Sequence, residues 1–330
     1  MPVTIRDVAR QAGVSVKTVS RVINGDGPVR EATRQRVQAV IEALHYRPNA
    51  VARSLVTRRT MTLGLLIADV INPFFPEVVR GVEDAAKVAG YTVLLGNTDE
   101  DPVQEERYLT LMQERQVDGL VLSGSRAEEE VLRRAADSGF WMALINRAVH
   151  HPRILSILVD NADATAQATS YLIQKGHRRI AYLLGPSRAE AGRLRFEGYR
   201  RALREHGIPF RPVYVVQEIP RIEGGRKAMR TLLALPSPPT AVVAYNDLMA
   251  IGAIEAVQEA GGRVPDDVAV IGFDDILLAA YTIPPLTTVR VPKYEMGYKA
   301  AAALIDTIKI GRTSPRVVRF KGKIVVRGSA

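Results

Sequence analysis

Two hydrophobic rhythms divide this chain. In the first sixty residues apolar positions recur at helical spacing. Ile5, Val8, Ala9 and Ala12 fall at i, i+3, i+4 and i+7, which sets them on one face of a helix. Val19, Val22 and Ile23 mark the buried face of a second helix. Val37, Val40, Ile41 and Leu44 mark that of a third. From Met61 the pattern changes to short apolar runs. TLGLLIADV, YTVLLGN, DGLVLSG and WMALIN read as strands buried on both faces. Amphipathic stretches at 75–89, 102–115 and 127–138 predict helices between them. The same rhythm returns with LSILVD, RIAYLLG, VYVV, AVVAY and VAVIGF, with helices predicted at 161–175, 190–206, 222–234 and 247–260. Strands alternating with helices imply parallel sheets with right-handed crossovers. The expected fold is an N-terminal all-α domain followed by two doubly wound α/β subdomains.

Local signals sharpen the N-terminal helices. Thr4 with Asp7 three residues on is a capping-box pattern. Gly13 supplies the positive φ of a tight turn, and Ser15 can cap the second helix. The other face of that helix carries Val16, Lys17, Ser20, Arg21 and Asn24. A short helix with one packed face and one basic, polar face suits a DNA major groove. A small helical domain with merely solvated charges is the alternative.

Charge distribution separates these readings. The chain of 330 residues carries +10. Residues 1–60 hold eleven Lys and Arg against four acidic residues, leaving +3 for the rest. A basic module of this kind is the footprint of phosphate binding. The composition, 47% hydrophobic and 24% charged, is that of a globular protein. No apolar run approaches the roughly 18 to 20 residues of a membrane span. The N-terminus lacks the apolar core of a secretory signal, and there is no cysteine. These features lead us to expect a cytoplasmic protein with no membrane partner. Dinucleotide, Walker A and zinc-protease motifs are missing. The five histidines (45, 150, 151, 177, 206) have no metal spacing. We therefore expect neither an enzyme nor a bound metal or cofactor.

VSVKTVSRVIN at 14–24 closely resembles the recognition segment of the LacI/GalR family of bacterial transcription regulators. The resemblance implies a helix-turn-helix domain at 1–47, a hinge helix and linker at 48–60, and a periplasmic-binding-protein-like core at 61–330. The core's subdomains would comprise about 61–160 plus 291–321 and about 161–290 plus 322–330, with crossings near 159–162, 289–292 and 320–323. Lys17 and Arg21 become the candidates for guanine contacts and Val16 for a thymine methyl. Thr4, Thr18 and Asn24 become phosphate contacts, and Ser15 and Ser20 complete the DNA-facing set. The family usually has Ser or Thr where this chain has Arg30, a weaker N-cap unless Thr33 or a shifted start compensates. Asn49 through Val56 is too short to be a stable helix alone. It resembles the hinge helix that orders when two copies pair over the minor groove. Leu55 would then be the apolar wedge, with Asn49, Ala52 and Arg53 along the groove. An ordinary linker is the plainer reading.

In open α/β sheets ligands bind beyond the carboxyl ends of strands. Polar residues there are Asn72 before Phe74 and Phe75, Ser123 and Ser125, Asn146 and Arg147, Asp160 and Asn161. Asn246, Asp247, Asp274 and Asp275 follow, and Arg195 lies in the helix after Gly185. Each has a structural alternative as a cap, a surface ion pair or a core ring. Together they suit a polyhydroxylated ligand, packed on aromatic faces and held by fixed polar groups. By the resemblance, Arg147, Arg195, Asn246 and Asp274 fall on effector-binding positions, and Asn72, Phe74 and Phe75 form a stacking wall. Ser123 and Asn146 join them. The set is most like that of ribose-type regulators. Asn146 departs from their usual aspartate, and no aromatic stands near Ile219-Pro220.

The expected protein is thus a repressor of a pseudo-palindromic operator in double-stranded DNA, controlled by ribose or another sugar or nucleoside. With no leucine heptad tail after Gly328, we expect a homodimer. A regulator answering to a phosphoprotein partner, or a plain solute-binding protein, are the competing classes.

Overall fold

The computed structural model describes residues 3–25, 27–46, 59–186, 189–311 and 317–330. Helices α1 (Ile5–Ala12), α2 (Val16–Asn24) and α3 (Glu31–Ala43) pack Val8, Ala9, Ala12, Val19, Val22 and Val37 into one small core. The starts and stops are local chemistry. The Asp7 carboxylate accepts hydrogen bonds from the Thr4 N–H (3.0 Å) and Oγ1 (2.7 Å). Gly13, at φ 63°, ends α1 in the left-handed region. Ser15 Oγ accepts from the Thr18 N–H at 3.1 Å and so caps α2. At α3 the residue in the cap position is Arg30, with no side-chain cap. Neither a shifted start nor Thr33, whose N–H bonds the Arg30 carbonyl, replaces it.

The chain divides into two units at Thr60 and Met61. The second begins with β1 (Thr62–Ile67), α4 (Phe74–Val88), β2 (Thr92–Asn97), α5 (Pro102–Glu114), β3 (Gly119–Ser123), α6 (Glu129–Asp137), β4 (Met142–Ile145) and β5 (Ile154–Val159). It continues with α7 (Asn161–Gln174), β6 (Ile180–Leu184), α8 (Glu190–Glu205), β7 (Val215–Gln217), α9 (Ile222–Leu233), β8 (Ala241–Ala244), α10 (Asp247–Glu259) and β9 (Ala269–Asp274). The last elements are β10 (Thr287–Arg290), α11 (Lys293–Ile310), β11 (Val317–Phe320) and β12 (Lys323–Val325). Two six-stranded sheets result, in the orders β11-β5-β4-β3-β1-β2 and β12-β10-β9-β8-β6-β7. The chain passes from one sheet to the other after β5, after β10 and between β11 and β12.

Three expectations change. YTVLLGN is an edge strand rather than one buried on both faces: Leu94 and Leu95 of β2 are exposed, because β2 has a neighbour on one side alone. VYVV gives a single turn of 3-10 helix at Pro212–Tyr214 before the short edge strand β7. The second sheet is not purely parallel, since β12 runs antiparallel to β10. A two-residue connection cannot make a parallel crossover, but β12 reaches β10 from the other sheet.

Helix pairs brace both sheets through close backbone approach. A Cβ on Gly198 of α8 would lie 2.1 Å from the Ala162 carbonyl oxygen of α7. That contact fixes the helix that carries Arg195. No helix among the described residues is long and apolar enough to cross a membrane.

Candidate functional site

On α2, Val16, Lys17 and Arg21 are exposed, while Val19 and Val22 are buried beneath them. Lys17 and Arg21 form no ion pair among the described residues. Their charges are therefore available to an anionic partner. The hydroxyls serve local structure first. Thr4 Oγ1 donates to Asp7, and this hydrogen bond holds the Asp7 carboxyl below its ordinary value. Ser15 Oγ and Thr18 Oγ1 lie 2.9 Å apart and share a hydrogen. Ser20 is half-buried. The Asn24 side chain and Asn49, Ala52, Arg53 and Leu55 lie outside the described residues.

In the second unit the carboxyl ends of the two sheets face one another across a narrow cleft. Asn72, Phe74, Phe75, Asn146 and Arg147 line it from the first sheet. Arg195, Asn246 and Asp274 line it from the second. Phe74 and Phe75 meet edge to face at 5.2 Å, and the Asn72 side chain accepts from the Phe74 N–H at 3.0 Å. Arg195 is 4% exposed. Its Nε donates to Asn161 (2.9 Å), one terminal nitrogen to the Tyr245 carbonyl (2.6 Å) and the other to Asp274 Oδ1 (3.1 Å). Its guanidinium lies 3.6 Å from the centroid of the Phe273 ring. A guanidinium has five N–H donors, so two remain for a ligand.

The rest of the cleft is equally fixed. Asn246 caps α10 by accepting from the Met249 N–H, and its amide donates to the Pro220 carbonyl at 3.0 Å. Its structural and pocket roles coexist. Arg147 donates to Ser125 Oγ (3.1 Å) and to the Ala127 carbonyl (2.6 Å). The buried Glu105 carboxylate anchors that loop, accepting from Ser125 Oγ and from the Arg126 and Ala127 N–H groups. Asn146 sits at φ 60°, and its buried Oδ1 has no partner within the protein. An orphaned acceptor at this position is costly unless a donor arrives.

Burial pushes the Asp274 carboxyl above its ordinary range, although Arg195 and Lys293 pull the other way. Asp247 is raised further, by burial and by the neighbouring Asp274 charge. Asp247 lies outside the cleft wall: it accepts from Thr288 Oγ1 and the Ile276 N–H. Asp275 is also structural. Burial would raise it, but hydrogen bonds from Arg290 and Arg327 outweigh that and lower it.

Ser123 ends β3 with a buried hydroxyl that has no hydrogen-bond partner within the protein, and it is Ser125 that lines the cleft. The positive-φ Gly124 turns the chain between them. Sequence reasoning missed Glu100, Arg126, Glu190 and Tyr245, which also line the cleft. Arg126 pairs with Glu100 at 3.3 Å. Glu190 reaches across to accept from the Ala148 N–H. Tyr245 was visible in AVVAY, one residue before Asn246, but read as strand core. Among the described residues no three His, Asp or Glu side chains gather as a metal set.

Comparison with known proteins matches two profiles. Residues 4–49 match bacterial regulatory proteins of the lacI family, and residues 169–330 match a periplasmic binding protein-like domain. The chain is 38% identical to the HTH-type transcriptional repressor PurR of Photobacterium profundum, over 99% of this chain and 98% of that one. It is 39% identical to the ribose operon repressor of Escherichia coli, over 99% of both. Among solved structures, the lac repressor dimer bound to operator and the anti-inducer ONPF superimposes with a TM-score of 0.90. It is 26% identical, over 100% of this chain and 99% of that one.

Proposed function

The chain belongs to the LacI family of bacterial regulatory proteins, and from that premise we propose that it is a ligand-controlled repressor. It acts as a homodimer on a two-fold operator in duplex DNA. α2 is the reading helix, with Lys17 and Arg21 toward base edges and Val16 toward a thymine methyl. Two copies of α2 related by a two-fold axis read two half-sites. The effector is a neutral polyhydroxylated molecule of pentose size, ribose first, with other sugars and nucleosides next.

The observation that carries this reading is the cleft itself. Fixed donors and acceptors from both sheets converge beside Phe74 and Phe75. Asn146 Oδ1 lacks a donor and Arg195 has donors to spare, which a sugar hydroxyl can complement as donor and acceptor at once. A relative named for the ribose operon supports ribose as the first ligand to test. Ligand closes the cleft, and closure changes the affinity of the dimer for its operator. A coupling of about 1–3 kcal/mol is typical.

Thermal unfolding of the full chain against pentoses, hexoses, nucleosides and purines tests the ligand class. A ligand at 100 times its dissociation constant adds about 2.7 kcal/mol. We expect ribose to raise the midpoint, and the same ligand to change affinity for an operator obtained by binding-site selection. Operator affinity unchanged at saturation by every stabilising ligand would sink the coupling.

A further inference from the structure

The helix-turn-helix unit is not the one concentration of positive charge. Residues 175–213 hold ten Lys and Arg against three Glu. The whole of 61–330 carries only +3, so the remainder of that unit is net acidic. Arg195 is buried in the cleft and Arg188 lies outside the described residues, while others of these side chains lie on or beside α8. Arg193, Arg200 and Arg204 are exposed, seven and four residues apart, and therefore share one helix face. Among the described residues no carboxylate pairs with any of them. Arg201, by contrast, is neutralised by Asp163 at 3.1 Å and Glu205 at 3.7 Å. Glu197 lies on the same face and offsets one charge. The exposed Arg178 and Arg179, on the loop before β6, are held by backbone carbonyls, those of Ile173 and Pro238, which orient them without cancelling their charge. Arg200 lies 5.1 Å from the centroid of the Phe210 ring, and the exposed Arg211 follows Phe210 in the chain, so the patch is continuous.

We propose that this face of α8 is a second nucleic-acid contact, which takes the phosphate backbone of a duplex independently of α2. Arginine forks match phosphate geometry bidentately. Arg193 to Arg204 spans about 16 Å of helix, enough to reach both banks of a major groove about 12 Å wide. The contact reads no sequence, because its side chains are short of a groove-inserting element and contribute charge alone. Base stacking of a single strand is disfavoured, since Arg200 covers the Phe196 and Phe210 rings at 6.0 and 5.1 Å. The contact would hold the repressor on non-operator DNA in addition to its reading helices.

The test uses the full chain and a random-sequence duplex between about 50 and 200 mM salt. Four proteins are compared: wild type, Lys17→Ala/Arg21→Ala, Arg193→Ala/Arg200→Ala/Arg204→Ala, and the combination. Removing the α8 arginines should flatten the slope of log affinity against log salt by about 0.9 per lost contact, roughly 2.7 in all, in both α2 backgrounds. Lysine at the three positions should restore most of the slope, which a folding defect would not. An unchanged slope in both backgrounds overturns the proposal. So does displacement of the duplex by polyglutamate as readily as by polyphosphate of equal charge, which would make an acidic protein the partner. Loss of nothing in Lys17→Ala/Arg21→Ala would instead fault the role of α2, leaving the α8 comparison decisive by itself.

Discussion

Asn146 is one of the two places at which this cleft departs from the ribose-type set it resembles. Its orphaned Oδ1 stands next to Arg147, which has no carboxylate partner among the described residues. A carboxylate there would accept from ligand hydroxyls as a charged group, and such hydrogen bonds contribute about 1.5–3 kcal/mol. Asn146→Asp should therefore tighten ribose binding about tenfold or more by calorimetric titration. Equal or weaker binding would move the effector away from ribose. Asp247 offers a prediction of a different kind. Its folded carboxyl titrates above its unfolded value, so between the two the native state holds the extra proton. Stability then falls as pH rises through that window and stays lower above it. Asparagine imitates the protonated acid: its oxygen can accept from the Ile276 N–H while its amide donates to Thr288. Asp247→Asn should flatten the decline of the unfolding midpoint from about pH 4 upward. A decline as steep as that of wild type would show that some other group titrates.

At the scale of elements, the N-terminal helices depend on their caps more than on length, since helices of 8, 9 and 13 residues are marginal alone. Ser15→Ala deletes the bond to the Thr18 N–H and should cost about 1 kcal/mol. Arg30→Ser supplies the cap α3 lacks and should gain a similar amount. Amide hydrogen exchange in the full chain would register the two as faster exchange in α2 and slower exchange in α3. If α3 amides were indifferent to serine, its first turn would be held by packing rather than by capping. The α7–α8 pair shows how an element positions chemistry: Gly198 lets the helices touch, and Arg195, one turn away, thereby meets Asn161 of α7.

At the scale of the molecule, closure of the cleft is held by contacts that span it. Arg221 of the second sheet's half meets Asp69 of the first at 3.0 Å, and Lys293 of α11, on the first side, donates to the Asp274 and Asp275 carbonyls of the second at 2.7 and 2.9 Å. Arg221 is half exposed, so its pair contributes about 0.2–1 kcal/mol. A double-mutant cycle with Arg221→Ala and Asp69→Ala should yield that coupling, and each single change should weaken effector binding no more than about fivefold. A hundredfold loss would mean that Arg221 touches the ligand directly.

The two-part architecture, the basic helix α2 and most of the cleft's polar set are legible in the amino-acid sequence. These are local properties: hydrophobic period, capping chemistry and the residue just after each apolar run are all legible without knowing what packs on what. Asp7, Gly13 and Ser15 act within four residues of their own position, and Asn146, Asn246 and Asp274 follow strands whose ends were visible. Which neighbour of a strand end lines the cleft depends on tertiary structure. The left-handed Gly124 stands between the buried Ser123 and Ser125, which lines the cleft. Tertiary structure also decided the long-range partners, Glu100, Arg126 and Glu190, which are ordinary charged residues until the two sheets face each other. The edge exposure of β2 and the antiparallel β12 have the same cause. Strand order is a property of the assembled sheet, and an apolar run carries no record of whether a neighbour covers it on one side or on both.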